Sequence, residues 1–288
     1  MTAVRAMLRD RSVMFGLIVL GITAVVALAA PWIAPADPTA QTNILQTRFL
    51  APLSEGPTGV FHVLGTDRFG RDVLSRLLYG ARISLMVGFA SVIVAVLIGT
   101  AVGVTAAVVR GVTERTLMAA TDAMLAIPRL VLLLALVAIW EPHLWIVVLV
   151  LGATGWMSIA RLVRGEVKKM LGRSFIDAAT ASGVNRVTMV WRHLLPNSMT
   201  PVIIAAALSI GNTIVLESGL AFLGLGVPPP APSWGNMIAG GREALVNAPW
   251  IAVFPGFAIV LIVVACNLLG DGLRDALDPT TRQTKRPK

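Results

Sequence analysis

Apolar residues along this chain fall in long unbroken runs rather than in the short alternations of a half-buried sheet. A helix rising about 1.5 Å per residue needs about 20 apolar residues to cross about 30 Å of hydrocarbon. Six stretches meet or approach that length: Ser12–Ala34, Ile83–Val109, Leu117–Trp140, Leu144–Ile159, Met199–Leu223 and Trp250–Leu269, the fourth being the shortest. Most contain Gly or Pro, which membrane helices tolerate when neighbouring groups satisfy the freed backbone. Between the first two runs the period changes. From Asp72 to Ala81, the apolar Val73, Leu74, Leu77, Leu78 and Ala81 share one helical face and Arg76 lies on another, which predicts a helix lying along the membrane surface. After the fifth run, Pro228-Pro229-Pro230 must end any helix, which predicts a rigid outer loop with Trp234 near the interface.

The first run follows Arg5, Arg9 and Arg11 and passes through Ala27-Leu28-Ala29, features shared with a cleaved signal peptide. It is longer than a typical signal core and continues through Trp32 and Ile33, which favours an uncleaved anchor.

Composition sharpens this picture. The 288 residues are 56% hydrophobic and 14% charged, with a mean hydropathy of +0.79. A soluble domain is nearer half apolar and a quarter charged, so lipid is part of the solvent here and a soluble enzyme is excluded. The expected fold is all-α, a polytopic membrane protein of about six transmembrane helices. The 24 Lys and Arg against 15 Asp and Glu give a net charge of +9, but no basic stripe interleaved with aromatics and no zinc-finger spacing accompanies it. No nucleic-acid partner is expected. With the N-terminus inside, seventeen Lys and Arg fall on the cytoplasmic side and six outside, which places both termini in the cytoplasm. The outer segment Pro35–Arg82 is the exception, with five arginines beside Asp37, Glu55, Asp67 and Asp72. Cys266 is the single cysteine, so no internal disulfide forms.

Catalytic signatures are missing. There is no phosphate-binding G-x-x-x-x-G-K-[ST], no H-E-x-x-H and no G-x-S-x-G, and His62, His143 and His193 never pair at helical spacing. No cofactor or metal is expected. The ionisable residues within the apolar runs need a separate reading, since charge in lipid is costly and usually faces a bundle interior or a path. Asp122 and Arg129 are seven apart, on one face of the third run with Pro128 between them, while Glu217 follows Asn212 deeper in the fifth. Asp122 reads equally well as an interface residue or as one that packs or lines a path. For Asn212 and Glu217 a pathway or bracing role is favoured.

The segment between the fourth and fifth runs contains Ser174-Phe-Ile-Asp177-Ala178-Ala179-Thr-Ala-Ser-Gly183, then His193 and Leu195-Pro196. It reads as two short helices joined by a turn: Ser174 and Asp177 begin the first, Ala178 and Ala179 admit a close partner, and Gly183 supplies a positive φ. This resembles the "EAA" loop of binding-protein-dependent ABC importer permeases, with Asp177 in place of Glu and His193 in place of Ile. Two further stretches, His62-Val-Leu-Gly65-Thr66-Asp67 through Ser84-Leu85 and Glu217-Ser-Gly-Leu-Ala-Phe-Leu-Gly224 through Trp234-Gly235, resemble the C-type permeases of the dipeptide, oligopeptide and nickel systems.

The resemblance implies a type I ABC importer permease fold and a non-enzymatic subunit that forms half of a translocation pathway for a dipeptide, oligopeptide or related small solute. It implies a homologous B-type permease, one or two ATP-binding subunits and an extracytoplasmic binding protein as partners, besides membrane lipid. By position, Asp177, Ala178, Ala179 and Gly183 inherit coupling to the ATPase. The expected division is an anchor and outer segment (1–82), a permease core (83–275) with a coupling loop (161–197), and a cytoplasmic tail (276–288), in a bacterial-type inner membrane. The rival reading is an ion-coupled secondary transporter using Asp122 and Glu217, which would call for internal repeats of spans. A membrane enzyme is weaker still, lacking the motifs.

Overall fold

The computed structural model describes residues 10–41, 43–57, 59–141 and 143–277. Helix α1 (Arg11–Ile33) begins at Asp10, whose side chain accepts from the Ser12 N–H at 2.8 Å, the usual way to satisfy an orphan donor. An outer segment follows, with one helical turn, α2 (Ile44–Thr47), and a small antiparallel ribbon of β1 (Ser54–Glu55) and β2 (Phe61–His62), Ser54 opposite His62. The remaining helices are α3 (Val73–Val109), α4 (Gly111–Ala126), α5 (Arg129–Val137), α6 (Leu144–Ala153), α7 (Trp156–Leu171), α8 (Ser174–Ala181), α9 (Arg186–Thr188), α10 (Leu195–Phe222), α11 (Trp234–Gly241) and α12 (Trp250–Leu277), with a π-helical turn over Met189–Leu194. By length and composition, five units can cross a bilayer: α1, α3, α6 with α7, α9 through α10, and α12. Helices α4 and α5 make a sixth if the bent pair is one span.

Several expected boundaries move, each for a local reason. The surface helix over Asp72–Ala81 and the span from Ile83 are one 37-residue helix, because no breaker separates them. Arg76 is buried rather than facing water, with its Nη1 donating to the Pro38 carbonyl at 2.9 Å under the outer segment. The third run is broken instead of merely loosened. Ile127 is extended (φ −82°, ψ 127°), as a residue before proline prefers, and α4 meets α5 at 90°. Asp122 and Arg129 therefore do not share a helix face. The helix of the fourth run extends to Leu171, so residues 161–171 of the expected loop are helical.

The fifth span begins well before Met199. The chain is helical from Arg186, and the π turn over Met189–Leu194 widens the coil just ahead of Pro196, which sits in the first turn of α10 where its missing N–H costs least. Trp234 is not at an interface but 2% exposed, with Nε1 donating to the Leu77 carbonyl at 3.0 Å and its backbone N–H to Ser84 Oγ at 3.1 Å. It opens α11, a helix the Pro-rich run concealed, which Ser233 and Asn236 cap reciprocally. The sixth helix continues to Leu277, and the rest of the expected tail, 278–288, lies outside the described residues, as do Arg5 and Arg9.

Three apolar clusters hold the helices. One joins α1, the outer part of α3, α11 and α12; a second joins α3, α5, α6 and α10; the third gathers Ile159, Val163 and Val167 of α7 with Ile176, Met189, Leu194 and Val202. Helices α3 and α7 approach each other closely at small residues, as membrane packing favours. A Cβ on Gly103 would lie 2.6 Å from the Ala160 carbonyl oxygen, and one on Gly99 would lie 2.7 Å from both Ile159 Cβ and the Trp156 carbonyl oxygen. Gly103→Val is expected to push the two helices apart and to cost about 1–3 kcal/mol. In contrast, Gly165→Ala, where a Cβ meets nothing within 4 Å, is expected to be neutral. Thermal unfolding of the two variants, followed by tryptophan fluorescence, checks the difference.

Candidate coupling loop and membrane-interior charges

Helix α8 follows directly on α7, and its geometry comes from both of its ends. Its N-cap is Arg173, extended and without a side-chain bond, so Ser174 is the first helical residue and not the cap its sequence spacing predicts. At the far end the Gly183 N–H donates to the Thr180 carbonyl at 3.0 Å and the Val184 N–H donates to the Ala179 carbonyl at 3.2 Å. These two bonds make a Schellman end, which requires a left-handed residue after the cap; Gly183 has φ +78°. Asn185 then caps α9, its side chain accepting from the Thr188 N–H at 2.8 Å. Ile176 is buried against α7 and the start of α10, while Asp177, Ala178 and Gly183 are exposed and Ala179 is half-buried. The four residues expected to act together thus lie on one short element, three of them open to solvent.

The charges nearby sort into pairs that sequence reading missed. Asp122 accepts from Arg161 Nε at 3.0 Å and Nη2 at 2.6 Å, tying α4 to α7 at an exposed position. Glu114 takes both Arg164 and Lys168 one turn further on. The available signal was the spacing Arg161, Arg164, Lys168 on one helix face, matched by Glu114 and Asp122 on α4. In the segment between α1 and α3, Asp67 accepts from Arg71 Nε at 2.7 Å and lies 3.7 Å from Arg76 Nε, while Arg68 reaches Glu243 at 3.3 Å. Three of the five arginines that break the positive-inside pattern therefore have acids of their own. They line an outer cavity of about 700 Å³ together with the Pro228–Pro230 turn and Arg242.

The residues expected in the pathway are not brought together. Asn212 is exposed on α10, whereas Glu217, five positions later and on another face, is fully buried. Glu217 Oε1 accepts from Ser233 Oγ at 2.9 Å, and Oε2 has no hydrogen-bond partner among the described residues. A Cβ on Gly235 would come within 2.9 Å of that oxygen, so α11 presses directly on the carboxyl. Glu217 thus ties the end of α10 to the start of α11, a bracing geometry. Arg129 stands at the bend between α4 and α5 and donates from Nη2 to the Leu151 carbonyl at 3.0 Å.

Comparison with known proteins agrees with this architecture. The family model described as "Binding-protein-dependent transport system inner membrane component" matches residues 95–283, and that of the N-terminal transmembrane domain of oligopeptide transport permease C matches residues 2–52. The chain is 40% identical to the di/tripeptide transport system permease protein DppC of Pseudomonas aeruginosa over 94% of its own length and 88% of that protein. It is 43% identical to the glutathione transport system permease protein GsiD of Pectobacterium atrosepticum over 79% of this chain and 75% of the relative. An inward-facing structure of the MetNI methionine ABC transporter superposes with a TM-score of 0.59 at 21% identity, covering 70% of this chain and 97% of that one. An ion-coupled transporter built on Asp122 and Glu217 finds no support in these likenesses, and the two carboxyls sit far apart in role, one in an exposed ion pair and one walled in by α11. The chain belongs to the inner-membrane permeases of binding-protein-dependent transport systems, as a multi-pass subunit of an ATP-driven importer with the type I ABC importer fold.

Proposed function

We propose that this chain is the C-type permease of a peptide importer, forming half of the translocation pathway for a dipeptide, an oligopeptide or a related small solute. A homologous B-type permease supplies the other half, one or two ATP-binding subunits dock on the coupling loop (161–197), and an extracytoplasmic binding protein delivers the solute. Support for the peptide class comes from the relatives, whose names specify di/tripeptides and glutathione. In this reading both termini are cytoplasmic, residues 1–82 anchor the subunit and cover its outer end, residues 83–275 form the core, and residues 276–288 are a cytoplasmic tail.

The observation that carries the mechanism is the attachment of α8. Its outer face, with Asp177 and Ala178, is free, while Ile176 is 3% exposed in the cluster that joins α7 to the start of α10. Burying such a side chain is worth about 1.5–3 kcal/mol, enough to make α8 follow the two membrane helices as one body. An ATPase that moves α8 therefore moves α7 and α10, and α7 carries α3 through the Gly99 and Gly103 contact. Alternating access follows as a rocking of these packed helices between outward and inward openings.

Ala179→Arg is expected to force a bulky charge into the ATPase contact and abolish copurification of the ATP-binding subunits or uncouple their hydrolysis from uptake, with membrane insertion unchanged. A cysteine at Ala178 should cross-link to the ATPase partner, and no cross-link in an active complex would overturn the docking assignment.

Gly183→Val places a β-branched residue at φ +78°, a strain of about 1–3 kcal/mol. Uptake and coupling should fall while the chain remains in the membrane, as measured by transport-linked ATPase in proteoliposomes.

A cysteine at Glu55 should react with impermeant thiol reagents added from outside the cell only, and reaction only from the cytoplasm would reverse the topology.

A further inference from the structure

The break between α6 and α7 leaves a carbonyl without its helical donor. The Thr154 N–H donates to the Val150 carbonyl at 3.1 Å, but the Gly155 N–H turns to Gly152 at 3.0 Å instead of to Leu151. The Leu151 oxygen is taken up by Arg129 Nη2 at 3.0 Å, while the Thr154 hydroxyl lies 2.9 Å from the Val150 carbonyl and 3.2 Å from that of Leu151 and has one proton for the two. A guanidinium has five N–H donors. That of Arg129 uses Nη2 here and reaches Thr154 Oγ1 from Nε only at 3.5 Å, and no carboxylate lies within ion-pair distance of it among the described residues.

The setting makes this unusual. Arg129 borders a small void of about 20 Å³ with Ser91, Ser209 and Thr213. Ser91 is midway along α3, and Ser209 and Thr213 are in the middle of α10, so the guanidinium sits midway along the membrane-spanning helices. A cation at that depth is costly, faces protein or water, and marks a substrate path more often than a structural joint. Ser91 Oγ, 1% exposed, has no hydrogen-bond partner, so the polar lining on this side is unfilled. On its other side, Arg129 lines a cavity of about 170 Å³ with Pro128, Thr154, Met157 and Ser158, at the bend between α4 and α5.

Bracing one carbonyl needs a donor, not a charge. Resting on the peptide-import reading, we propose that Arg129 receives the C-terminal carboxylate of a peptide as it passes the middle of the membrane. The free N–H groups of the guanidinium supply paired charge-assisted bonds, and the Thr154 and Ser158 hydroxyls lie beside them. Such a site orients the peptide, because the same charge repels its amino terminus. It also releases its ligand, since the Leu151 carbonyl retains the guanidinium after the carboxylate leaves.

The test uses the complete importer in lipid nanodiscs with Ser158→Cys, an exposed position, Cys266 being buried. A sulfonate thiosulfonate reagent should label this cysteine about tenfold faster than its trimethylammonium analogue. Alanyl-alanine should slow the labelling, and alanyl-alanine amide should not. In Arg129→Gln, which keeps an N–H donor for Leu151 and removes the charge, the reagent preference and the peptide protection should both vanish, and in Arg129→Lys both should survive. Equal rates for the two reagents, equal protection by the amide, or protection that persists in an assembled Arg129→Gln complex would overturn the assignment. Uptake of alanyl-alanine by the unsubstituted importer is measured alongside. Uptake without Arg129-dependent protection overturns this inference alone, and failure to import any di- or tripeptide overturns the peptide reading and this inference with it.

Discussion

Hydrocarbon offers no hydrogen bonds, so wherever this chain leaves a helix inside the membrane the freed backbone groups must be met by protein. That constraint organises the molecule. At Thr154–Gly155 the Leu151 carbonyl is met by Arg129, and the Thr154 hydroxyl turns back on the Val150 and Leu151 carbonyls. At the end of α10 the Leu225 N–H bonds to the Leu220 carbonyl at 2.8 Å and the Gly224 N–H to Ala221 at 3.0 Å. The turn that follows is held by Asn236, whose side-chain amide donates to the Ala231 carbonyl at 2.7 Å and to Val227 at 3.3 Å. At Leu151 and in the turn after α10 a polar residue from another element meets the freed carbonyls, and these residues link segments distant in sequence.

Charge follows the same economy. The acids and bases of α4 and α7 neutralise one another, and three arginines of the segment between α1 and α3 and the start of α3 pair with Asp67 and Glu243. Asp72 caps α3, accepting from the Ser75 N–H and hydroxyl at 2.7 Å each and lying 2.9 Å from His62 Nδ1. One carboxylate therefore fixes both the start of the longest helix and the ribbon that covers it. Within the bundle, Arg129 and Glu217 have no ion-pair partner among the described residues, Arg129 standing at the bend between α4 and α5 and Glu217 where α10 meets α11.

Much of this was legible in the sequence, and the illegible part has a common cause. Apolar run length found the membrane helices, because crossing lipid imposes a minimum that composition cannot hide. The spacing from Asp177 to Gly183 found α8 and its turn, since only a residue without a Cβ readily takes φ +78° there. What run length could not show is where a helix continues through polar residues covered by other protein, as at Arg76, or through a proline placed in a first turn, as at Pro196. Nor could it show that the Pro-rich run hides a capped helix whose Trp234 is core. The pairs Asp122–Arg161 and Glu114–Arg164 are separated by 39 and 50 residues, and such contacts become visible only once α4 and α7 are packed. Asn212 and Glu217 looked like neighbours in the sequence, but five residues turn a helix by well over a right angle.

Helix α3 has one more consequence. Its 37 residues contain no proline, and at about 1.5 Å per residue they make a rod of about 55 Å, longer than the hydrocarbon is thick. The outer end is clamped by Asp72 and the buried Arg76, and the inner half is pressed against α7 at Gly99 and Gly103. A rod fixed at both levels has no joint at which a displacement can be lost. A tilt of about 5° about its midpoint carries each end by about 2 Å, in opposite directions. Under the rocking motion proposed above, α3 would act as a mechanical lever whose strength is set by how little its shaft bends.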